Sequence, residues 1–313
     1  MNNIVRFLQQ NNHFLLLTHR RPDGDTLGSA AALCAGLRSL GKAAYLWRNP
    51  EITGRYLPFT EPYFAPEGYE HSTTIAVDTA SASLLGKDWD GPVHLRIDHH
   101  PATAGFADME YSDPSAAACG EVIQELLERL GVTLTKEIAE LLYIAISTDT
   151  GCFRYSNTTA RTHRHAAALI DAGIDAQMLN VKVFAKSRER LAMESAIAAN
   201  IAYSAGGRVA AASLTLEEKT AVAVAEDDLE NIAGIAQGIE GVQVALMLRE
   251  EADSWRVSCR TSEPYAANAI CGVLGGGGHS RAAGAEIKRR ITPEAARAQV
   301  LAALWEMYPE LRD

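Results

Sequence analysis

Apolar residues in the first hundred positions come in short runs. Phe14 to Thr18, Ala43 to Trp47, Thr73 to Val77 and Val93 to Ile97 each span five residues, the last interrupted by His94 and Arg96. Such runs suit strands buried in a sheet. Between and after them the period becomes helical. Residues 4–10 suit a short helix, and Thr26 to Leu40 a longer Ala- and Leu-rich one closed by Gly41 just past its C-cap. Asn49 to Gly68 has no clear period and reads as loop with a short helix. Ser115 to Leu130 predicts an amphipathic helix with Glu121, Glu125 and Glu128 on its polar side, and Lys136 to Ser147 a helix that delivers Asp149 at its end.

Strands alternating with helices predict an α/β fold with a doubly wound, mainly parallel sheet. Thr158 to Ala205 is helical in character, and Gly206-Gly207 marks a boundary. Beyond it Arg208 to Leu214 reads as a strand, Asp227 to Ile239 as a helix, and Val242 to Leu248 with Trp255 to Thr261 as an antiparallel pair. A helix (Ala266 to Leu274), a glycine run, a strand and a terminal helix (Pro293 to Met307) complete a smaller α+β unit. At 313 residues the chain is long for one core. The expected organisation is a domain over 1–186, a connecting helix over 187–205 and a C-terminal domain over 206–313, with an active-site cleft between the two domains.

Composition narrows the partners. Hydrophobic content of 47% and charged content of 22% are those of a soluble globular protein. A net charge of −10 argues against a broad footprint on long duplex nucleic acid, yet allows a small phosphate ligand held locally. The first residues, Met1-Asn2-Asn3-Ile4-Val5-Arg6, lack the apolar core of a signal peptide. No apolar run reaches the roughly 20 residues of a membrane helix. The five scattered cysteines show no paired spacing, which fits reduced thiols and a cytoplasmic setting.

The chemistry lies where the strands end. His19, Asp23 and Asp25 follow the first run, Asp78 the third, and Asp98-His99-His100-Pro101 the fourth; Asp149 ends a helix. Open α/β sheets gather ligands at the carboxyl ends of their strands. Each residue alone has a plainer account. An Asp after a strand is commonly a helix N-cap, and Asp23-Gly24-Asp25 is a fair turn. Their repetition at nearly every strand end favours a site. Carboxylates and imidazoles without thiolates suit Mn²⁺ or Mg²⁺, in a pair roughly 3.5–4 Å apart of the kind that clamps a phosphoryl group. One carboxylate must then bridge, and Asp78, alone on its strand, is the natural candidate.

The stretch His19-Arg20-Arg21-Pro22-Asp23-Gly24-Asp25-Thr26-Leu27-Gly28-Ser29 resembles the first motif of the DHH phosphoesterase superfamily, to which the RecJ exonucleases belong. Val77-Asp78-Thr79 resembles the second motif, Asp98-His99-His100 the one that names the family, and Thr148-Asp149-Thr150-Gly151 with its continuation to Asn157 the fourth. Gly275-Gly276-Gly277-Gly278-His279 with Ala282-Ala283-Gly284 looks like the signature of the family's associated C-terminal domain. Length and layout look most like the stand-alone branch of NrnA-type nanoRNases. That resemblance implies a cytoplasmic hydrolase that degrades short oligoribonucleotides (nanoRNA) and removes the 3′-phosphate of adenosine 3′,5′-bisphosphate (pAp). It implies no partner membrane or long duplex, and is compatible with a homodimer. It further implies two Mn²⁺, with Mg²⁺ or Co²⁺ as substitutes: one held by His19, Asp23 and Asp78, the other by Asp25, Asp78, His99 and Asp149. His100 would face the scissile phosphate and Asp98 would orient a histidine from behind. Two alternatives stay open, a phosphodiesterase for cyclic-di-AMP or linear dinucleotides (pApA, pGpG) and an inactive nucleotide-binding regulator.

Substrate contacts are expected from Arg260 and from Gly276, Gly277, Gly278 and His279, because glycines let a backbone approach phosphate closely and a guanidinium grips it in a fork. Arg281 reads equally as surface, and Ser29 as a phosphate contact or a helix-start residue. His163 and His165 do not share a helix face and read as a solvated surface; Cys152 reads as packed.

Overall fold

The computed structural model describes residues 1–86, 88–101, 105–229 and 232–312. The chain divides into two compact units, Met1–Ala185 and Lys186–Asp313.

The first unit runs α1 (Asn2–Gln10), β1 (Phe14–Leu17), α2 (Gly24–Ser39), β2 (Ala44–Leu46), α3 (Leu57–Thr60), β3 (Thr73–Val77), β4 (Leu95–Asp98), β5 (Met109–Ser112), α4 (Cys119–Arg129), α5 (Lys136–Asp149), α6 (Ala160–Asp171) and α7 (Ala176–Phe184). Its five strands are all parallel in the order β2-β1-β3-β4-β5. The order reverses between β1 and β3, and at such a reversal the strand-end loops diverge and leave a crevice. Because side chains alternate along a strand, Phe14, Leu16, Ile75, Val77, Leu95 and Ile97 share one face and pack on the buried sides of α2, α4 and α5. Leu15, Leu17 and Ala76 share the other, which Trp47, Tyr69, Leu85, Trp89 and Phe106 cover from connecting segments. β5 has no counterpart among the expected strands: Met109, Glu110, Tyr111 and Ser112 are half-exposed or exposed, and an edge strand lacks the apolar run of its buried neighbours.

Helix α2 is buried almost throughout. A Cβ on its Gly28 would lie 2.5 Å from the Leu141 carbonyl oxygen of α5, so a bare Cα here is what lets the two helices approach. That approach brings the start of α2, with Asp25, beside the end of α5, with Asp149. Glu121, expected on the polar side of α4, is fully buried instead. Arg161 of α6 lies over it at 3.4 Å and also pairs with Asp113 and Glu125, so a tertiary ion pair overrides the helical pattern. His163 is exposed, as expected, and stacks on Phe153; His165 is half-buried and lies 3.4 Å from Glu125.

The second unit comprises α8 (Arg188–Ala199), β6 (Ala202–Ser204), β7 (Val209–Leu214), α9 (Leu216–Ala221), α10 (Gly234–Gln237), β8 (Val244–Glu250), β9 (Trp255–Thr261), α11 (Ala267–Val273), β10 (Gly277–Gly278), β11 (Ala282–Ile287) and α12 (Pro293–Met307). Its mixed sheet is ordered β10-β11-β9-β8-β7-β6, with only β7 and β8 parallel. Residues 187–205, expected as one helix, comprise α8, the edge strand β6 and a short turn. Met193 and Ile197 of α8 pack with Ala212, Leu214 and Met247 in this unit's core. The helix expected over Asp227 to Ile239 is reduced to α10 and a preceding 3₁₀ turn at Glu226–Leu229; residues 230–231 lie outside the described ones.

Candidate metal centre

Four segments converge at the carboxyl end of the parallel sheet. β1 runs into His19, the first turn of α2 holds Asp23 and Asp25, β3 empties into Asp78, and β4 into Asp98-His99-His100; the last residue of α5 adds Asp149. Ligating atoms of His19, Asp23 and Asp78 lie within 4.8 Å of one another, as do those of Asp25, His99 and Asp149, and those of Asp78, Asp98, His99 and His100.

Backbone acceptors set the imidazoles. Nδ1 of His19 lies 2.8 Å from the carbonyl oxygen of Arg20, and Nδ1 of His99 3.2 Å from that of Ala116. A carbonyl only accepts, so each Nδ1 carries the proton and each Nε2 is the nitrogen turned to the carboxylates. Nε2 of His19 is 3.8 Å from Asp23 and 3.9 Å from Asp78 Oδ2. Nε2 of His99 is 3.7 Å from Asp25 Oδ2, 3.6 Å from Asp78 Oδ1 and 3.8 Å from Asp149 Oδ2.

Asp78 faces both histidines through its two oxygens, Oδ2 toward His19 and Oδ1 toward His99. Its φ of +52° is left-handed, a conformation an Asp tolerates better than most residues. Oδ2 accepts from the Thr26 hydroxyl at 2.7 Å. Oδ1 is buried and, among the described residues, has no hydrogen-bond partner. An unsatisfied buried carboxylate oxygen is costly, and a cation is what would satisfy it. The donors fit a hard divalent ion: carboxylates and imidazoles, with the nearby Cys119 thiol fully buried and its pKa pushed well up by burial and by the charges of Asp78 and Asp25.

The carboxylates differ in support. Asp23 is both N-cap of α2, accepting from Thr26 N at 3.1 Å, and partner of His19; burial opposes its charge, but the His19 hydrogen bond and charge hold it below the usual range. Asp25 accepts from Cys119 N at 2.7 Å, Gly120 N at 3.0 Å and Ser29 Oγ at 3.1 Å. It thus sits at the amino end of α4, where backbone N–H groups favour negative charge. Burial and the charges of Asp78 and Asp149 nevertheless raise its pKa well above the carboxylate range. Asp149 is pushed up to about 6 by burial and by Asp23 and Asp78, against the pull of His99. Burial works against the protonated imidazoles, yet Asp78, Asp149 and Asp25 raise His99 to about 10, and Asp23 with Asp78 raises His19 to about 9. The cluster concentrates negative charge and holds protons that a cation would displace.

Asp98, grouped with Asp78, His99 and His100, is fully buried with both oxygens engaged. Oδ2 pairs with Arg96, while Oδ1 accepts from His99 N at 2.6 Å, His100 N at 3.0 Å and His100 Nδ1 at 2.8 Å. Ser29 requires a correction. It is fully buried and donates to Asp25, so it steadies a carboxylate and offers no surface to a phosphate. Arg96, Thr26 and Asn157 escaped the sequence reading. Asn157 Nδ2 donates to the Asp149 backbone carbonyl at 3.1 Å. Arg96 did leave a signal, because in Leu95-Arg96-Ile97-Asp98 it shares a strand face with Asp98.

In the second unit, Arg260 lines a cavity of about 130 Å³ with Gln237, Gln243, Thr261 and Ser262. A Cβ on Gly276 would lie 2.1 Å from the Gly284 carbonyl oxygen, and one on Gly278 2.7 Å from that of Ala282. Those two glycines are therefore required by the passage of β11. Gly277 has open space where its Cβ would point, and His279 beside it is exposed. Arg281 is tied down, donating to the Tyr265 carbonyl at 2.6 Å and to Glu263 at 2.8 Å.

Residues 13–146 match the N-terminal domain of the DHH family and residues 220–308 the DHHA1 domain. The bifunctional oligoribonuclease and PAP phosphatase NrnA of Thermus thermophilus is 34% identical over 276 residues, covering 87% of this chain and 83% of that protein. The Bacillus subtilis protein of the same name is 28% identical over 293 residues, covering 91% and 92%. The crystal structure of an exopolyphosphatase-related protein from Bacteroides fragilis has the same fold, with a TM-score of 0.87 at 24% identity over 100% of this chain and 97% of that one. Sequence and fold agree: the chain belongs to the DHH family of phosphoesterases.

Proposed function

We propose that this chain is a divalent-cation-dependent phosphoesterase for very small nucleotides, hydrolysing short oligoribonucleotides to mononucleotides and pAp to AMP. The observation that carries the reading is the buried Asp78 carboxylate, shared by two histidine–carboxylate groups and left with an unsatisfied oxygen. The choice of substrates draws on the relatives that bear those activities in their names.

In this reading His19, Asp23 and Asp78 hold one ion, and Asp25, Asp78, His99 and Asp149 the second, with Mn²⁺ favoured by the mixed carboxylate and imidazole donors. Bound there, such ions would supply a water-derived nucleophile at neutral pH and balance charge on the phosphate oxygens. The chain's own residues do the rest. The Arg20 and Ala116 carbonyls keep the His19 and His99 protons on Nδ1. Asp98 holds the His100 ring so that its Nε2 presents a proton to a phosphate oxygen; Asp98 and Asp78 favour that protonated imidazole against the effect of burial. The second unit is assigned substrate binding through Arg260, the open backbone of Gly277 flanked by Gly276 and Gly278, and His279. We place the protein in the cytoplasm, where its five unpaired thiols would stay reduced.

The test is turnover with Mn²⁺ of pAp, an oligoribonucleotide length ladder and cyclic-di-AMP, side by side. Preference for pAp and the shortest oligomers is the expected outcome. Preference for the cyclic dinucleotide would transfer the assignment to that substrate, and hydrolysis of none would leave a binding protein.

A further inference from the structure

Arg96 is a charged residue with 1% exposure in the middle of a parallel sheet. Burying a guanidinium costs several kcal/mol unless its donors are matched, and an aliphatic residue would fill the position without that cost. Its donors are matched by groups from three adjacent strands. Nε donates to the Thr79 carbonyl at 2.7 Å, just after β3; one terminal nitrogen pairs with Asp98 Oδ2 on β4; the other reaches Glu110 Oε2 on β5 at 3.4 Å. Glu110 in turn accepts from Phe106 N at 2.7 Å.

We infer that Arg96 is a positioning residue for His100, acting through Asp98. The two oxygens of Asp98 have separate tasks. Arg96 occupies Oδ2 and fixes the plane of the carboxylate, which leaves Oδ1 pointing at His100, where it takes Nδ1 at 2.8 Å and the backbone N at 3.0 Å. The ring is thereby held with Nδ1 inward and Nε2 on the opposite side. The Thr79 and Glu110 contacts anchor the guanidinium, so Asp98 is oriented against the sheet and not against a mobile side chain. Without Arg96 the carboxylate is held only through Oδ1, by His99 N and by His100 itself, and the imidazole loses the support behind it while its own residue is untouched.

The inference rests on the proposed phosphoester hydrolysis for its kinetic readout alone; a spectroscopic readout stands without it. In the metal-free full-length protein, the His100 Nδ1 proton is observed by ¹⁵N-edited NMR and assigned by its loss in His100→Gln. Arg96→Met is expected to remove or broaden this resonance, and Arg96→Lys, which keeps the charge but not the three-way fork, to retain part of it. With Mn²⁺ and pAp, kcat of Arg96→Met should fall about 10–100-fold with KM nearly unchanged, the usual effect of losing an outer support, and Arg96→Lys should recover part of the loss. Folded variants that keep both the resonance and the wild-type kcat overturn the inference. Should Arg96→Met fail to fold, Arg96→Lys decides by the same criteria, together with Arg96→Met/Asp98→Asn, in which neither buried charge remains. That pair should fold and match the kcat of Asp98→Asn alone; a further drop would mean that Arg96 acts elsewhere. If the wild type hydrolyses none of the nucleotides, the proposed function fails, and the NMR comparison still decides the role of Arg96.

Discussion

Asp78→Asn should leave the metal-free protein folded but insensitive to Mn²⁺ and nearly inactive, a combination that a purely structural residue would not give. Asn suits the left-handed φ of +52° at this position at least as well as Asp. Its amide oxygen can keep the 2.7 Å bond from Thr26. What disappears is a negative charge that does most to hold the His99 proton, with Oδ1 3.6 Å from His99 Nε2 and without a hydrogen bond. Loss of that attraction opposes the relief of an unsatisfied buried acceptor, worth about 1–3 kcal/mol, so the metal-free Tm should move by no more than a few degrees at roughly 2–4 °C per kcal/mol. Metal separates the two proteins. At a hundredfold excess over Kd a bound ion adds about 2.7 kcal/mol to the wild type, whereas the variant has lost the carboxylate common to both groups. Loss of one ion's several kcal/mol of transition-state stabilisation lowers kcat/KM by about 10³-fold. Calorimetric melting with EDTA and with Mn²⁺, beside pAp turnover, reads all of these. An Mn²⁺-induced Tm shift equal to that of the wild type would refute the reasoning.

Titration of Mn²⁺ into the metal-free protein at pH 7 should release at least two protons, because His19 and His99 are held at about 9 and 10 without metal and must be neutral to bind it, and Asp25, raised well above the carboxylate range by burial and by Asp78, must be ionised; the dependence of binding enthalpy on buffer ionisation measures the number, and release well below one proton contradicts the ligand set. Gly28→Ala should destabilise the first unit by about 1–3 kcal/mol, since the new Cβ meets a backbone oxygen that cannot turn aside, and denaturant melts would register it. Arg260→Ala should raise KM for pAp about 10–100-fold through loss of a charge-assisted hydrogen bond of about 1.5–3 kcal/mol, with Mn²⁺ affinity unchanged by titration. Ser29→Ala should cost about 1 kcal/mol of stability and leave KM as it is, as expected of a hydroxyl that serves Asp25 and not the substrate.

The apolar runs ending in Asp or His were readable because a strand buried in a parallel sheet is apolar along most of its length, even where His94 and Arg96 interrupt the last of them. β1, β3 and β4 appear within a residue or two of the expected runs. The edge strand β5 lacks such a run and was invisible. Glu121 misled for a related reason: helical periodicity reports which face is polar on average, and cannot register an arginine arriving from forty residues further on. Ser29 read equally as a phosphate contact or a helix-start residue, and only the burial of α2 on nearly every side removes the first reading.

The sequence by itself determined the chemistry on offer, namely which strand ends bear carboxylate or imidazole and that no thiolate competes with them. Tertiary structure decided which of those groups meet. Thr26 reaches Asp78 across 52 residues, and the amino end of α4 reaches Asp25 across 94. Those meetings depend on the strand order that sets β3 beside β1 and on a bare Cα at Gly28 that admits α5. The same packing sets Asp98 at the back of the cluster, near Asp78, His99 and His100 but engaged by Arg96 on its own strand face.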